Sequence, residues 1–213
     1  MTRQWRTRDR WMIQLDGMLR TLVPGALVPM RPSPALGAGE PTFSRLERHR
    51  IISLMRFNHS SGICTQGRYH GQGLVARAPR VSQRICDAAD EQRDHLAWCE
   101  GRLKELGAHT SPFNPLYYTA SFGLGVMLGR ISDPVSLGFL HAGSELATTR
   151  LETQLRHLPG GDQRSRAILE RMRDDSVHHA YGALEAGGRR LPGPLRWGLS
   201  MAAKALRSDR RLE

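Results

Sequence analysis

The chain has 213 residues, a formal net charge of +11 and 39% hydrophobic residues, of which few are aromatic. That length predicts one domain with a substantial core, and a core of Leu, Ala, Met and Ile favours a helical bundle over an aromatic-rich β-sandwich. The charge, carried mainly by Arg, suits anionic lipid or an acidic partner; with no helix-turn-helix, zinc-finger or RNA-binding signature beside it, nucleic acid is not expected.

In chain order, the N-terminus opens on charges (Arg3, Arg6, Arg8, Asp9, Arg10) with no apolar run before a cleavage site, so no secretory signal is expected. Residues 9–22 then place Trp11, Met12, Leu15, Met18, Leu19 and Leu22 on one side of a helix. Pro24, Pro29, Pro32, Pro34 and Pro41 exclude helix from the next stretch, which reads as a long linker, ordered or mobile. Ser44 or Thr42 caps the following helix, with Glu47 in its first turn. Long helices are predicted at about 44–77 and 81–106, the second stopped by Gly107. The uncharged "FNPLYYTASFGLGVMLG" (113–129) is too short for a spanning helix and reads as a buried or interfacial one. A third long helix starts at Asp133-Pro134, with Asp133 as its cap and proline at the first helical position, and runs to Pro159; a fourth runs from near Asp162 to Gly187-Gly188. A basic helix follows from Pro194. Residues 1–43 thus form an amphipathic helix and linker, 44–188 the bundle, and 189–213 a basic C-terminal helix. Cys64, Cys86 and Cys99 are odd in number and not metal-spaced, so free, buried thiols in a reducing compartment are expected.

The core stripes of the four long helices carry the chemistry. They run Ile51, Met55, His59, Gly62, Gln66, Tyr69; Ile85, Ala88, Gln92, His95, Cys99, Leu103; Leu137, His141, Ser144, Thr148, Leu151; and Ile168, Met172, Ser176, His179, Ala183. Near mid-length each loses its large apolar residue, at Gly62, at Gln92 with His95, at Ser144, and at Ser176 with His179. The second and fourth share a polar residue three positions before a histidine, a spacing that shares a face. Di-iron carboxylate bundles use Glu-x-x-His this way on two helices, with single glutamates on the other two. Here both histidines are present and the four glutamates are not. For one core histidine the plain reading is a single hydrogen bond; two in matched contexts at matched depth weaken it.

Five stretches carry a family resemblance: "LMRFNHSSGICTQGRYHGQGLVAR", "DHLAWCEGRLKELG", "NPLYYTASFGLGVMLGRISDPVSLGF", "RSRAILERMRDD" and "ALEAGG". With them the chain resembles the demethoxyubiquinone (3-demethoxyubiquinol) hydroxylases, ferritin-like di-iron monooxygenases of ubiquinone biosynthesis, from about Trp11 to Lys204. The resemblance implies an all-α, ferritin-like four-helix bundle with additional amphipathic helices at the N- and C-termini. It places the family's iron-binding glutamates at Gly62, Gln92, Ser144 and Ser176, and its two iron-binding histidines at His95 and His179. Two irons without balancing carboxylates carry a prohibitive desolvation cost, so the family's two iron ions are expected to be absent or weakly bound. Glu91 and Asp175 lie four residues before His95 and His179; Glu145 would need a helix rotation of about 100° to reach in. His59, Tyr69 and His141 are possible neighbours, and His141 with His95 and His179 would make a histidine-rich site for zinc or one iron, although a packed or solvent-touching His141 is preferred. His70 and His178 are expected to point elsewhere.

Three readings follow. The first is a family member that binds a prenylated quinone or a ubiquinone-biosynthesis partner without di-iron catalysis. It would sit peripherally on the cytoplasmic face of the anionic cell membrane, as a possible homo-oligomer, with the N-terminal apolar face and Trp197, Leu199, Met201 and Leu206 among Arg and Lys as membrane contacts. The second is an active, O2-dependent 3-demethoxyubiquinol 3-hydroxylase. The third is a re-used or engineered cavity for another small molecule or cofactor.

Overall fold

The computed structural model describes residues 7–39, 41–194, 197, 198 and 201. Among them are six helices and no strand: α1 (Thr7–Leu22), α2 (Arg45–Val75), α3 (Pro79–Glu105), α4 (Asn114–Ile131), α5 (Asp133–His157) and α6 (Gln163–Glu185). α2 packs on α3, α5 on α6, and α3 on α6; α4 lies along α2 and leads into α5. The result is a ferritin-like four-helix bundle with α4 as its crossover helix. Most of the C-terminal helix expected from Pro194 lies outside the described residues, as do Leu199, Leu206 and the Trp11 side chain.

The ends of the helices follow from local chemistry. Ser44 and Glu47 form a reciprocal capping box on α2, Glu47 N–H donating to Ser44 Oγ (3.3 Å) and Ser44 N–H to Glu47 Oε2 (2.9 Å). Pro79 opens α3, and Gly107 closes it at φ +65, a left-handed geometry that favours glycine. At α5 the expected cap is corrected: Ser132, not Asp133, accepts from Val135 N–H. Asp133 instead accepts from the Arg77 and Ala78 N–H groups (3.2 and 2.8 Å) and ties the α2–α3 turn to α5. Asp162 caps α6 through Ser165 N–H (2.9 Å) and pairs with fully buried Arg102 (3.0 Å), so one carboxylate serves helix and core.

The α2–α4 contact rests on two Gly-x-x-x-Gly pairs. Gly67 and Gly71 of α2 face the α4 backbone at Tyr118 and Phe122, while Gly125 and Gly129 of α4 face Arg68 and the Gln72–Val75 turn. A Cβ on Gly71 would run into the Phe122 carbonyl oxygen, and one on Gly125 into that of Arg68. Backbone cannot yield as a side-chain tip can. Gly71→Ala is therefore expected to cost about 3 kcal/mol, the upper end of overpacking penalties, seen as a lower urea midpoint at unchanged m.

The middle of the linker is tied to α3 by hydrogen bonds from Met30 N–H to Asp94 and from Trp98 Nε1–H to the Arg31 carbonyl. Residues 29–35 pack on α3, with Ala35 in the same core cluster as Trp98 and Leu103. The α4 expectation is sharpened: Asn114, Tyr118, Gly125, Leu128 and Gly129 are buried, while Leu116, Leu124, Met127 and Ile131 are exposed. The cysteines need a correction. All three are free, but Cys99 alone is buried; Cys64 is half-buried and Cys86 exposed, because Cys86 falls on the outer side of α3. Burial lifts the Cys99 thiol to about 12, so it stays protonated.

Candidate functional site

The six positions singled out on the helix stripes meet. Gly62 of α2, Gln92 and His95 of α3, Ser144 of α5, and Ser176 and His179 of α6 all line one cavity of about 40 Å3. They converge because each stripe loses bulk at the same bundle depth, and side chains too short to cross the interior leave space there. Tyr69 joins them, but the other two proposed neighbours do not. His59 turns toward α4, where the Asn114 amide lies 3.4 Å from its Nδ1. His141 turns to α6, with Nδ1 3.0 Å from the Ala180 carbonyl oxygen and Nε2 3.4 Å from Glu145. It lines a separate surface recess with Tyr181 and Arg190. The structure does not bring His95, His141 and His179 together in one site: His59 and His141 lie off the cavity, each engaged elsewhere. His70, engaged by Gln66 and Tyr118, and exposed His178 are also outside it.

The nearby carboxylates meet the two histidines across helices, although Asp175 also pairs along α6 with Arg171 (3.1 Å). Asp175 of α6 is held by His95 of α3 (Nε2–Oδ2 2.8 Å), and Glu91 of α3 approaches His179 of α6 (3.6 Å). Burial opposes ionisation of Asp175, but hydrogen bonds from His95 and Arg31 outweigh it and hold the carboxyl well below the usual carboxylate range. His179 is buried and has no hydrogen-bond partner on either ring nitrogen. Burial, reinforced by Arg84 and His95, lowers its pKa to about 4, so the ring is neutral at pH 7.

Three arginines complete the picture, and periodicity pointed to none of them. Arg31, from the proline-rich linker, reaches Asp94 (2.6 Å), Asp175 (2.9 Å) and Glu91 (3.7 Å), and lies 5.1 Å over the Trp98 ring. It clamps the outer side of the α3–α6 pair. Arg68 and Arg150 line the cavity itself. The quoted motif "TQGRYHG" contains Arg68, but on a long flexible stem only the tertiary structure decides which way a guanidinium turns.

The walls therefore carry two imidazoles, two carboxamides (Asn58 and Gln92), three serine hydroxyls, a threonine, a tyrosine and two guanidinium groups, and no Asp or Glu. Among the described residues no group of three or more His, Cys, Asp or Glu is placed to hold a metal ion. These walls do not fit a pair of iron ions. Two buried dications need anionic ligands to offset their desolvation, and the nearest carboxylates are already engaged by Arg31.

A bundle of this shape, with a polar cavity at mid-depth between two helix pairs, defines the ferritin-like class. Within it, a family model described as "Ubiquinone biosynthesis protein COQ7" matches residues 49–206, and the chain belongs to that family. It is 47% identical over 204 residues to a protein of Stutzerimonas stutzeri named 3-demethoxyubiquinol 3-hydroxylase, covering 96% of this chain and 95% of that one. Proteins of the same name from Pseudomonas fluorescens (48% identical, 93% and 92% covered) and Chromohalobacter salexigens (45%, 97% and 97%) are similar over nearly their whole lengths.

Proposed function

We propose that this chain binds a prenylated quinol or a partner protein of ubiquinone biosynthesis at a membrane surface, and does so without di-iron catalysis. One observation carries the proposal: the cavity at mid-bundle has two arginines in its wall and no carboxylate. The positions taken as former ligands, Gly62, Gln92, Ser144 and Ser176, are read so from the family resemblance, with His95 and His179 as the retained pair. Membrane contact is supported by apolar side chains left exposed on two neighbouring helices, Met12, Leu15 and Leu19 on α1 and Leu116, Leu124, Met127 and Ile131 on α4. Met18 and Leu22, on the flank of the same stripe, pack against the cluster of Ile63, Leu96 and Tyr118 and attach that helix to the bundle. Among the described residues no helix is long and apolar enough to cross a membrane, so contact would be from the surface.

The second reading is an active 3-demethoxyubiquinol 3-hydroxylase, favoured by near full-length similarity to proteins of that name. Elemental analysis separates the two. Protein purified from iron-supplemented cells is expected to hold well under one iron per chain and to leave demethoxyubiquinol unchanged. Close to two irons together with hydroxylated product would establish the second reading.

A further inference from the structure

The cavity wall is cationic with no carboxylate to balance it, and that charge points to a ligand. Arg68 is 7% exposed and makes no ion pair among the described residues; its Nη1 is buried with no hydrogen-bond partner. Its one described attraction is to the Tyr69 ring, 4.9 Å from the guanidinium carbon. It folds over Gly143, where a Cβ would lie 3.0 Å from Nη2, so the bare glycine makes room for the guanidinium against α5. A ring face is weak compensation for a buried full charge; taking a guanidinium out of water costs far more than one such contact returns. Other donors share the walls. Arg150 Nη1 donates to Ser61 Oγ (3.2 Å), Gln92 brings an amide, and both ring nitrogens of His179 are buried without a hydrogen-bond partner. Ser176 is spent, its hydroxyl donating to the Met172 carbonyl (2.7 Å).

We propose that this cavity is an anion site, taking a small monovalent anion of the halide, nitrate or formate class against the Arg68 guanidinium. Charge sets the sign of the ligand: no Asp or Glu lines the walls to neutralise Arg68 internally. Size sets the class. A volume of about 40 Å3 admits about three water-sized groups, which suits a halide or a four-atom oxyanion and excludes a nucleotide or a quinone ring. Water alone would meet the hydrogen-bonding need of Nη1 but not the charge. The site depends on the cavity walls alone and not on the quinone reading.

Thermal unfolding of the purified full chain in sodium nitrate against sodium gluconate, at constant ionic strength and pH 7, tests it. Gluconate is too large to enter. Nitrate is expected to raise Tm saturably, by about 5 °C at a hundredfold excess over Kd, against its usual non-specific destabilising action. Arg68→Met is expected to remove the difference between the salts. Ser144→Glu, which supplies an internal carboxylate, is expected to remove it while leaving Arg68 in place. Equal melting of the parent chain in both salts, or an undiminished difference in Arg68→Met, overturns the site. Should Arg68→Met fail to fold, crystals of the parent chain grown in bromide decide: an anomalous peak at the Arg68 guanidinium supports the site, and none overturns it. Iron-free protein with no nitrate dependence refutes the anion site alone; protein with two irons refutes the proposed function.

Discussion

Glutamate placed together at positions 62, 92, 144 and 176, with Arg68→Met in the same chain, is expected to give a protein holding close to two irons, against the well under one proposed for the parent chain. The bundle already brings those four positions and the two histidines to one cavity, so the scaffold needs no rearrangement. What it lacks is negative charge. Four carboxylates supply it, and His95 remains oriented by Asp175 through its Nε2. Arg68 has to go as well, because a guanidinium in the same small cavity opposes each dication by several kcal/mol at an effective dielectric of about 20. The four-glutamate chain that keeps Arg68 is therefore expected to load much less iron than the five-fold variant. Position 62 is the tightest: a Cβ there meets Leu96 Cδ2 at 2.8 Å and Gln92 Nε2 at 2.9 Å. Both are tips of flexible side chains, so Gly62→Glu alone should cost about 1–3 kcal/mol and still fold. Metal content and Tm of the single, four-fold and five-fold variants read these effects separately. Equal iron in the four-fold and five-fold chains would show that Arg68 does not oppose the metal.

Arg31→Ala is expected to destabilise the chain by about 3 kcal/mol, a Tm drop of about 9 °C for a protein of this size. The substitution leaves buried Asp94 with no cation among the described residues and buried Asp175 with only exposed Arg171 (3.1 Å), and it withdraws the guanidinium from the Trp98 ring. Carboxylates left buried without a counter-charge cost more than the pair itself returns. The pH dependence follows from the depressed pKa of Asp175: its stabilisation is complete above the unfolded carboxyl value near 3.8 and is lost as pH falls through the lower folded value. The gap between parent and variant is thus full at pH 7 and narrows below about pH 4. Asp94→Asn added to Arg31→Ala should recover part of the loss, because the orphaned charge goes with it. A variant melting within about 1 °C of the parent would show that the linker does not clamp α3 to α6.

Periodicity and punctuation made most of the fold legible. Apolar residues at three- and four-residue spacing marked the four long helices, and Pro79, Gly107, Asp162 and Gly187 marked their ends to within about two residues. Two Gly-x-x-x-Gly pairs, "GRYHG" and "GVMLG", were an available signal for the α2–α4 contact that stripe reading passed over, since it follows bulky residues. The assignment of Asp133 as a cap was wrong by one residue because Ser132 competes for the same N–H. His59 and His141 were placed near the cavity by ideal spacing, but spacing does not say which partner a side chain takes: Asn114 engages the first, and the Ala180 carbonyl and Glu145 the second.

The sequence by itself determined which residues share a helix face and at what depth each face turns polar, because both depend only on the 3.6-residue repeat. It therefore determined that Gly62, Gln92, His95, Ser144, Ser176 and His179 would meet. The tertiary structure alone decided what surrounds them. His95 takes its carboxylate from α6, and the carboxylate nearest His179 comes from α3. A linker arginine neutralises the acids outside the cavity, and a helix arginine enters it. Those choices lie in rotations between helices and in long flexible stems with no repeat to follow. They set the charge of the cavity, and the charge sets what it can hold.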